Sequence, residues 1–301
     1  MGRSFRIPGL IDLMQVDARS EIRSLANDAR LDRKFDLRGP LINRVLVLRV
    51  RNTLRIAGMP LPSVVPRDDP ERKSTQDKLR QRLDPAAGKS LWDEETIAGL
   101  VAAVRDVPGA PAIGPATQQA VGRLFAPDYK ASSESWTAAR VLDEALHTRN
   151  PLRSIVLHLT GRLQRSRLLL ADLVRGDLAG VHGTGIAVHN LVRGFKRMRE
   201  LWKEPRWRSL SSVDAVIEQC LFAPPSVLRQ AVMPGATVSG AVRAGTLVVL
   251  GLGAARERMP ARDIEFMEGN WAQCPAAAFV PALLGAVWKR AIAAPAAEVI
   301  S

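Results

Sequence analysis

From Ala116 to Lys203 apolar residues recur at helical spacing with little interruption, and no other feature restricts this chain so strongly: it must pack helix against helix. Two long helices are expected. One runs from about Leu152 to Arg175, with Ile155, Val156, Leu159, Leu163, Leu170 and Leu173 on one side. The other runs from about Asp177 to Trp202. In it Thr184, Val188, Leu191, Phe195, Met198 and Trp202 share one face, and Arg193, Lys196, Arg197 and Arg199 take much of the remainder. This second helix opens with Gly180, Gly183 and Gly185. Each glycine costs a helix about 1 kcal/mol relative to alanine. Something must compensate, and a close approach of backbone to a flat ligand is one physical reason.

Elsewhere the elements are shorter. Residues 1–66 read as short helices and turns, with helices over residues 17–28 and 41–54. A proline-rich hinge follows at 59–66, and a highly charged helix covers 70–83. Residues 107–115 suit either a linker or a packed loop. A short helix near 213–222 ends at Pro224-Pro225, and β signals lie at 236–238 and 246–250. An apolar helix from Ala276 to about Ala293 completes the pattern. The expected fold class is mainly α with a small β part.

At 301 residues the chain can form one domain or two. With 47% apolar and 24% charged residues it does not read as disordered. No apolar run approaches the roughly 20 residues of a spanning helix. Arg3, Arg6 and Pro8 interrupt the start before a signal peptide forms. Two cysteines cannot staple a secreted scaffold, so the expected location is cytoplasmic. The net charge of +13 suits an acidic partner. Acidic residues interleave the arginines, aromatics are only 5%, and no base-stacking pattern emerges. Nucleic acid is therefore not expected; the charge fits either an acidic protein partner or an arginine bias spread over solvated helix faces.

Among possible chemical motifs, the run Leu250 to Arg256 suggests a dinucleotide fingerprint, but Arg256 replaces its third glycine and no βαβ series surrounds it. The histidines and cysteines lack zinc-site spacing, and no G-x-S-x-G occurs. Cys274 is more informative. Followed directly by Pro275 and a helix, its sulfur would lie where free backbone N–H groups lower a thiol pKa. It is then a soft-metal ligand or a reactive thiol, unless it is an ordinary buried cysteine.

The order of segments around Cys274 resembles the haem-thiolate monooxygenase (cytochrome P-450) superfamily. Ala179 to Gly183 is similar to that family's Ala-Gly-x-acid-Thr helix, and Glu218 to Pro225 to its E-x-x-R helix with a terminal proline pair. Arg229 resembles its propionate-binding arginine, and Ala244 to Arg258 its strand and following basic stretch. Asp69-Pro70-Glu71-Arg72 resembles the entry to its haem-contacting helix, and Ala29 to Arg33 an N-terminal motif. The resemblance implies a reduced P-450-like fold over residues 1–301 as a single domain, with 1–66 loosely matched. It implies haem b, with Cys274 as axial iron ligand, Arg229 and Arg72 on the propionates, and His182, Gly183 and Thr184 on the distal side.

The departures bear on mechanism. His182 replaces the distal acid and Gly183 the threonine, with Thr184 one residue late. Imidazole can move protons, but glycine brings no hydroxyl. Leu221 replaces the E-x-x-R arginine. An unpaired buried carboxylate costs about 3–5 kcal/mol, so Glu218 either finds another arginine or faces solvent. Phe266 and Gly269 stand one residue further from Cys274 than in the family, and Trp271-Ala272-Gln273 replaces its basic approach. A thiolate favours O–O cleavage, and a peroxide needs no acid–threonine relay. The expectation is a peroxide or hydroperoxide reaction on a small apolar organic or fatty-acyl substrate. The alternative is a degenerate P-450-fold protein that serves as a partner or carrier without oxidation chemistry.

Overall fold

The computed structural model describes residues 2–86, 91–148, 150–210, 212–258 and 262–294. The chain forms two compact units, one of residues 1–77 and 223–277, the other of residues 78–222 and 278–301. Residues 1–66 thus share a unit with the segment that carries Cys274.

The first unit is built on a five-stranded sheet. Its strands are β1 (Arg3–Ile7), β2 (Ile11–Val16), β3 (Leu31–Asp32), β4 (Val227–Ala231) and β5 (Leu247–Leu250), in the order β1-β2-β5-β4-β3. Only β2 and β5 pair in parallel, with Val16 opposite Leu250. The hairpin of β1 and β2 corrects the expectation of helices and turns throughout 1–66. Every residue of β1 is exposed, so its sequence carries no buried alternation to mark a strand. The strand β4 was also unexpected, because a charged Arg229 sits in its middle.

Helix α1 (Arg19–Asn27) lays Ile22, Leu25 and Ala26 on one sheet face, against Met14, Val16, Leu31, Val248 and Leu250. Helix α2 (Leu41–Thr53) is held by Asn43, whose amide donates to the Asp12 and Gly245 carbonyls at 2.7 and 2.8 Å. The unit boundary falls inside α3 (Arg72–Arg82). Because side chains alternate along a strand, Arg229 projects from the same face as Val227 and Ala231. That is the apolar face.

The second unit is helical. Helices α4 (Glu94–Arg105) and α5 (Ile113–Arg123) are neighbours within one unit, and of residues 107–115 the first six form the loop between them while the last three open α5. Asp93 caps α4 by accepting from the Thr96 N–H at 2.7 Å, and Ser132 and Ser135 form a capping box on α6 (Ser133–His147). The single helix expected over 152–175 is two, α7 (Pro151–Leu159) and α8 (Arg162–Leu173). Gly161, with φ +67°, separates them. Leu163 and Leu170 are buried while Val156 and Leu159 are exposed. The Ile155 side chain lies outside the described residues.

Next come α9 (Leu178–His182), a π-helical turn (Gly183–Ala187) and α10 (Val188–Lys203). The face expected along this stretch is the one that packs: Thr184, Val188, Leu191, Phe195 and Met198 are all buried. Helix α11 (Val213–Cys220) and the apolar α12 (Phe279–Ala293) complete the unit. Trp288 on α12 is fully buried and meets Trp202 edge-to-face, centroids 5.7 Å apart.

The ring of Tyr129 lies directly over Gly122 on α5, so a methyl group there would overlap it. Gly122→Ala should therefore destabilise the protein by about 1–3 kcal/mol. The check is a lower urea midpoint at unchanged slope.

Candidate functional site

Cys274 lies in a tight loop of the first unit. Its N–H donates to the Phe266 carbonyl at 2.8 Å, and the Asn270 side chain accepts from the Ala272 N–H at 2.8 Å. The left-handed residues Met267 and Gly269 turn the chain. The helix expected to start at Ala276 starts at Phe279, with turns between. Cys274 is thus not at a helix N-terminus, and the expected lowering of its thiol pKa does not occur. Burial pushes the thiol up, against the opposing pull of the Ala276 N–H and the Arg33 guanidinium.

Three residues before Cys274, Trp271 is fixed by its indole N–H, which donates to the Ala26 carbonyl at the end of α1 at 3.0 Å. Around its ring stand four guanidiniums. Arg33 and Arg72 lie 5.2 Å from the ring centroid, Arg229 5.6 Å and Arg67 5.7 Å. The Trp271 carbonyl accepts from Arg72 at 2.5 Å, and the Ala272 carbonyl accepts from Arg33 at 3.3 Å. Asp32, at the end of β3, accepts from the backbone N–H groups of Arg33 (2.5 Å) and Arg67 (3.1 Å). One carboxylate thereby fixes two arginine-bearing segments.

This charge is poorly compensated. Arg229 is 1% exposed, and its Nη1 donates to the Leu228 carbonyl at 2.9 Å. Among the described residues, its Nε and Nη2 and the Arg33 Nε have no hydrogen-bond partner. Burial holds Arg229 well below the usual guanidinium range, Arg33 adds to this, and Asp32 opposes it. Burial likewise brings Arg33 down to about 10. Two unit charges ~8 Å apart repel by roughly 2 kcal/mol at an effective protein dielectric of ~20. Each buried donor without a partner costs about 1–3 kcal/mol. A ligand with two carboxylates and a metal that takes a thiolate fits this donor set. Haem has both. The sequence pointed to Arg229, Arg72 and Cys274, which all lie in this unit. It did not single out Arg33 and Arg67, which stand with Arg72 and Arg229 around Trp271, and Trp271 appeared only as a departure from a motif. Arg33 stood within the matched stretch 29–33, which was the signal available.

In the second unit, Val188 N–H reaches back five residues to Gly183, which defines the π turn. His182 and Gly183 are half-buried. Thr184 is fully buried, and its hydroxyl donates to the Gly180 carbonyl at 2.8 Å. Its own carbonyl accepts from Gln118 at 3.1 Å. Close side-chain packing is one reason for the glycines. A Cβ at Gly183 would lie 3.1 Å from the Phe125 ring, and one at Gly185 2.8 Å from Leu170 and 2.9 Å from Leu142.

Glu218 on α11 is exposed, so it takes the solvent-facing alternative, and Leu221 is buried. A buried ion pair instead joins Arg256 and Glu265 at 2.9 Å in the first unit.

No protein-family model matches the chain, and no curated relative does. Solved structures do. CYP175A1 from Thermus thermophillus superposes with a TM-score of 0.61 at 14% identity, over 96% of this chain and 83% of its own. Cytochrome P450EX alpha (CYP152N1), solved with myristic acid, gives 0.60 at 14% identity over the same shares, 96% and 83%. P450BioI, in complex with hexadec-9Z-enoic acid ligated acyl carrier protein, gives 0.60 at 14% identity over 93% and 84%. At such identities the likeness is one of fold.

Glu218→Gln should shift stability by no more than about 0.5 kcal/mol, as for other exposed sites. Glu265→Gln breaks a buried pair and should cost about 3–5 kcal/mol. Denaturant midpoints of the two variants test the contrast.

Proposed function

We propose that this chain, whose fold is that of the cytochromes P450 in a shortened and divergent form, is a haem-thiolate oxidoreductase. The observation that carries this reading is Arg229, a fully buried guanidinium with two donors lacking partners, in the same unit as Cys274. Cys274 is the iron ligand, and Arg229, Arg72 and Arg33 hold the carboxylates. Bound haem supplies oxygen-transfer chemistry, and a thiolate ligand favours O–O cleavage. The Ala276 N–H and the Arg33 guanidinium both stabilise negative charge on the sulfur.

His182 is assigned proton transfer at its imidazole, beside Gly183 and Thr184. The Thr184 hydroxyl is engaged by the Gly180 carbonyl and Gly183 has none, so no threonine relay is provided here. This supports a substrate that already contains the O–O bond, a peroxide or hydroperoxide. The proposed organic substrate is small and apolar or fatty-acyl, as with the myristic acid in the P450EX alpha structure. With a charge of +13, the proposed protein partner is acidic.

A second reading, a P450-fold partner or carrier without oxidation chemistry, is favoured by buried Leu221 and exposed Glu218, where the family's ion pair is missing. The spectrum of the purified protein separates the two. A reduced, carbon monoxide-bound band at ~450 nm, lost in Cys274→Ala, is the expected outcome for thiolate-ligated haem. A protein that takes up no haemin supports the second reading.

Arg229→Met should act in opposite directions on two quantities. Removal of a buried unpaired charge should raise the stability of the haem-free protein by about 1–3 kcal/mol. Haem affinity should fall about 10- to 100-fold with the loss of a charge-assisted hydrogen bond. Thermal unfolding of the haem-free protein and haemin titration measure the two effects.

A further inference from the structure

Four guanidiniums converge on Trp271 from separate parts of the first unit: the residue after β3, the turn before α3, the start of α3, and the middle of β4. Like charges do not gather unless something holds them. Asp32 fixes the backbone of Arg33 and Arg67, and the Arg67 guanidinium also donates to the Asn27 carbonyl at 3.2 Å. The element common to all four is the indole. Its face attracts cations through the ring quadrupole, most strongly where water is excluded. Its orientation is set by the bond to the Ala26 carbonyl. Its own carbonyl and the next one accept from Arg72 and Arg33, so the loop that carries Cys274 also anchors two of the four cations.

We propose that Trp271 is a positioning residue that gathers Arg33, Arg67, Arg72 and Arg229 into one cradle for the paired carboxylates of a planar macrocycle. The proposal rests on the haem reading and adds to it. Arg33 and Arg67 become carboxylate-binding residues alongside Arg229 and Arg72, and Trp271 acts through them rather than on the reacting atoms. The unpartnered N–H groups of Arg229 and Arg33 are the ones that donate to the carboxylate oxygens.

The test uses the full-length haem-free protein and metal-free protoporphyrin IX, compared with its dimethyl ester by fluorescence titration. Neither probe involves the thiolate–iron bond. The wild type should prefer the diacid by at least about 10-fold, the scale of one charge-assisted hydrogen bond. Trp271→Leu should reduce that preference at least about 5-fold, Trp271→Phe should retain most of it, and Arg33→Gln should match the leucine variant. Combining Trp271→Leu with Arg33→Gln should give little further loss, because the two act through each other. Circular dichroism confirms that each variant is folded; if Trp271→Leu does not fold, Arg33→Gln and Trp271→Phe carry the comparison. A folded Trp271→Leu protein with undiminished preference overturns the proposal and leaves the haem reading intact. So does an Arg33→Gln protein with undiminished preference. A wild type that binds neither porphyrin, or binds both equally, overturns the haem reading and this proposal with it.

Discussion

Positive charge without enough negative charge to meet it organises the first unit. Arg229 rises from the apolar face of a sheet, opposite Val248 and two residues from Ala231, where a guanidinium has no water to solvate it. Three further arginines stand at the same indole, with the carboxylate of Asp32 among them. A fold selected for stability alone would place an aliphatic residue on β4 at this point. The N-terminal segment, the entry to α3 and the central sheet each bring a guanidinium to the ring carried by the Cys274 loop. Turns at Met267 and Gly269 shape the loop in which Trp271 and Cys274 stand three residues apart.

The second unit answers to packing. Its π turn sits among three glycines whose missing side chains admit Phe125, Leu142, Leu170 and Val174. The cost of each glycine is offset by helix contacts that a larger residue would block. Gln118 completes the arrangement: its amide donates to the carbonyls of Thr184 and Ser135, and it accepts from the Ser135 hydroxyl. A hydroxyl committed to helix geometry at Thr184 is a poor proton relay, which leaves the half-buried imidazole of His182 as the titratable group at the start of this turn.

The excess of arginine serves more than one purpose. Arg197 with Glu200, Arg199 and Lys203 with Asp106, and Arg175 with Asp128 are exposed pairs of small energetic weight. Arg229, beside Trp271, differs because it is fully buried. Composition alone does not separate these two populations; burial does.

The helical periodicity of 116–203 and the buried face of α10 were legible in sequence, because a 3.6-residue repeat is a local property of the chain. The order of motifs was legible too, and it singled out Cys274 and Arg229, which the fold places in one unit. The β1 hairpin, the division of the 152–175 helix at Gly161, and the late start of α12 were not, since each depends on contacts or backbone angles that neighbouring residues leave open. The arginine cradle is the clearest case. Its members lie at positions 33, 67, 72, 229 and 271, and no periodicity connects them. Only strand pairing, the Asp32 bonds and the pinned indole bring them together, and only the tertiary structure buries Arg229 among them.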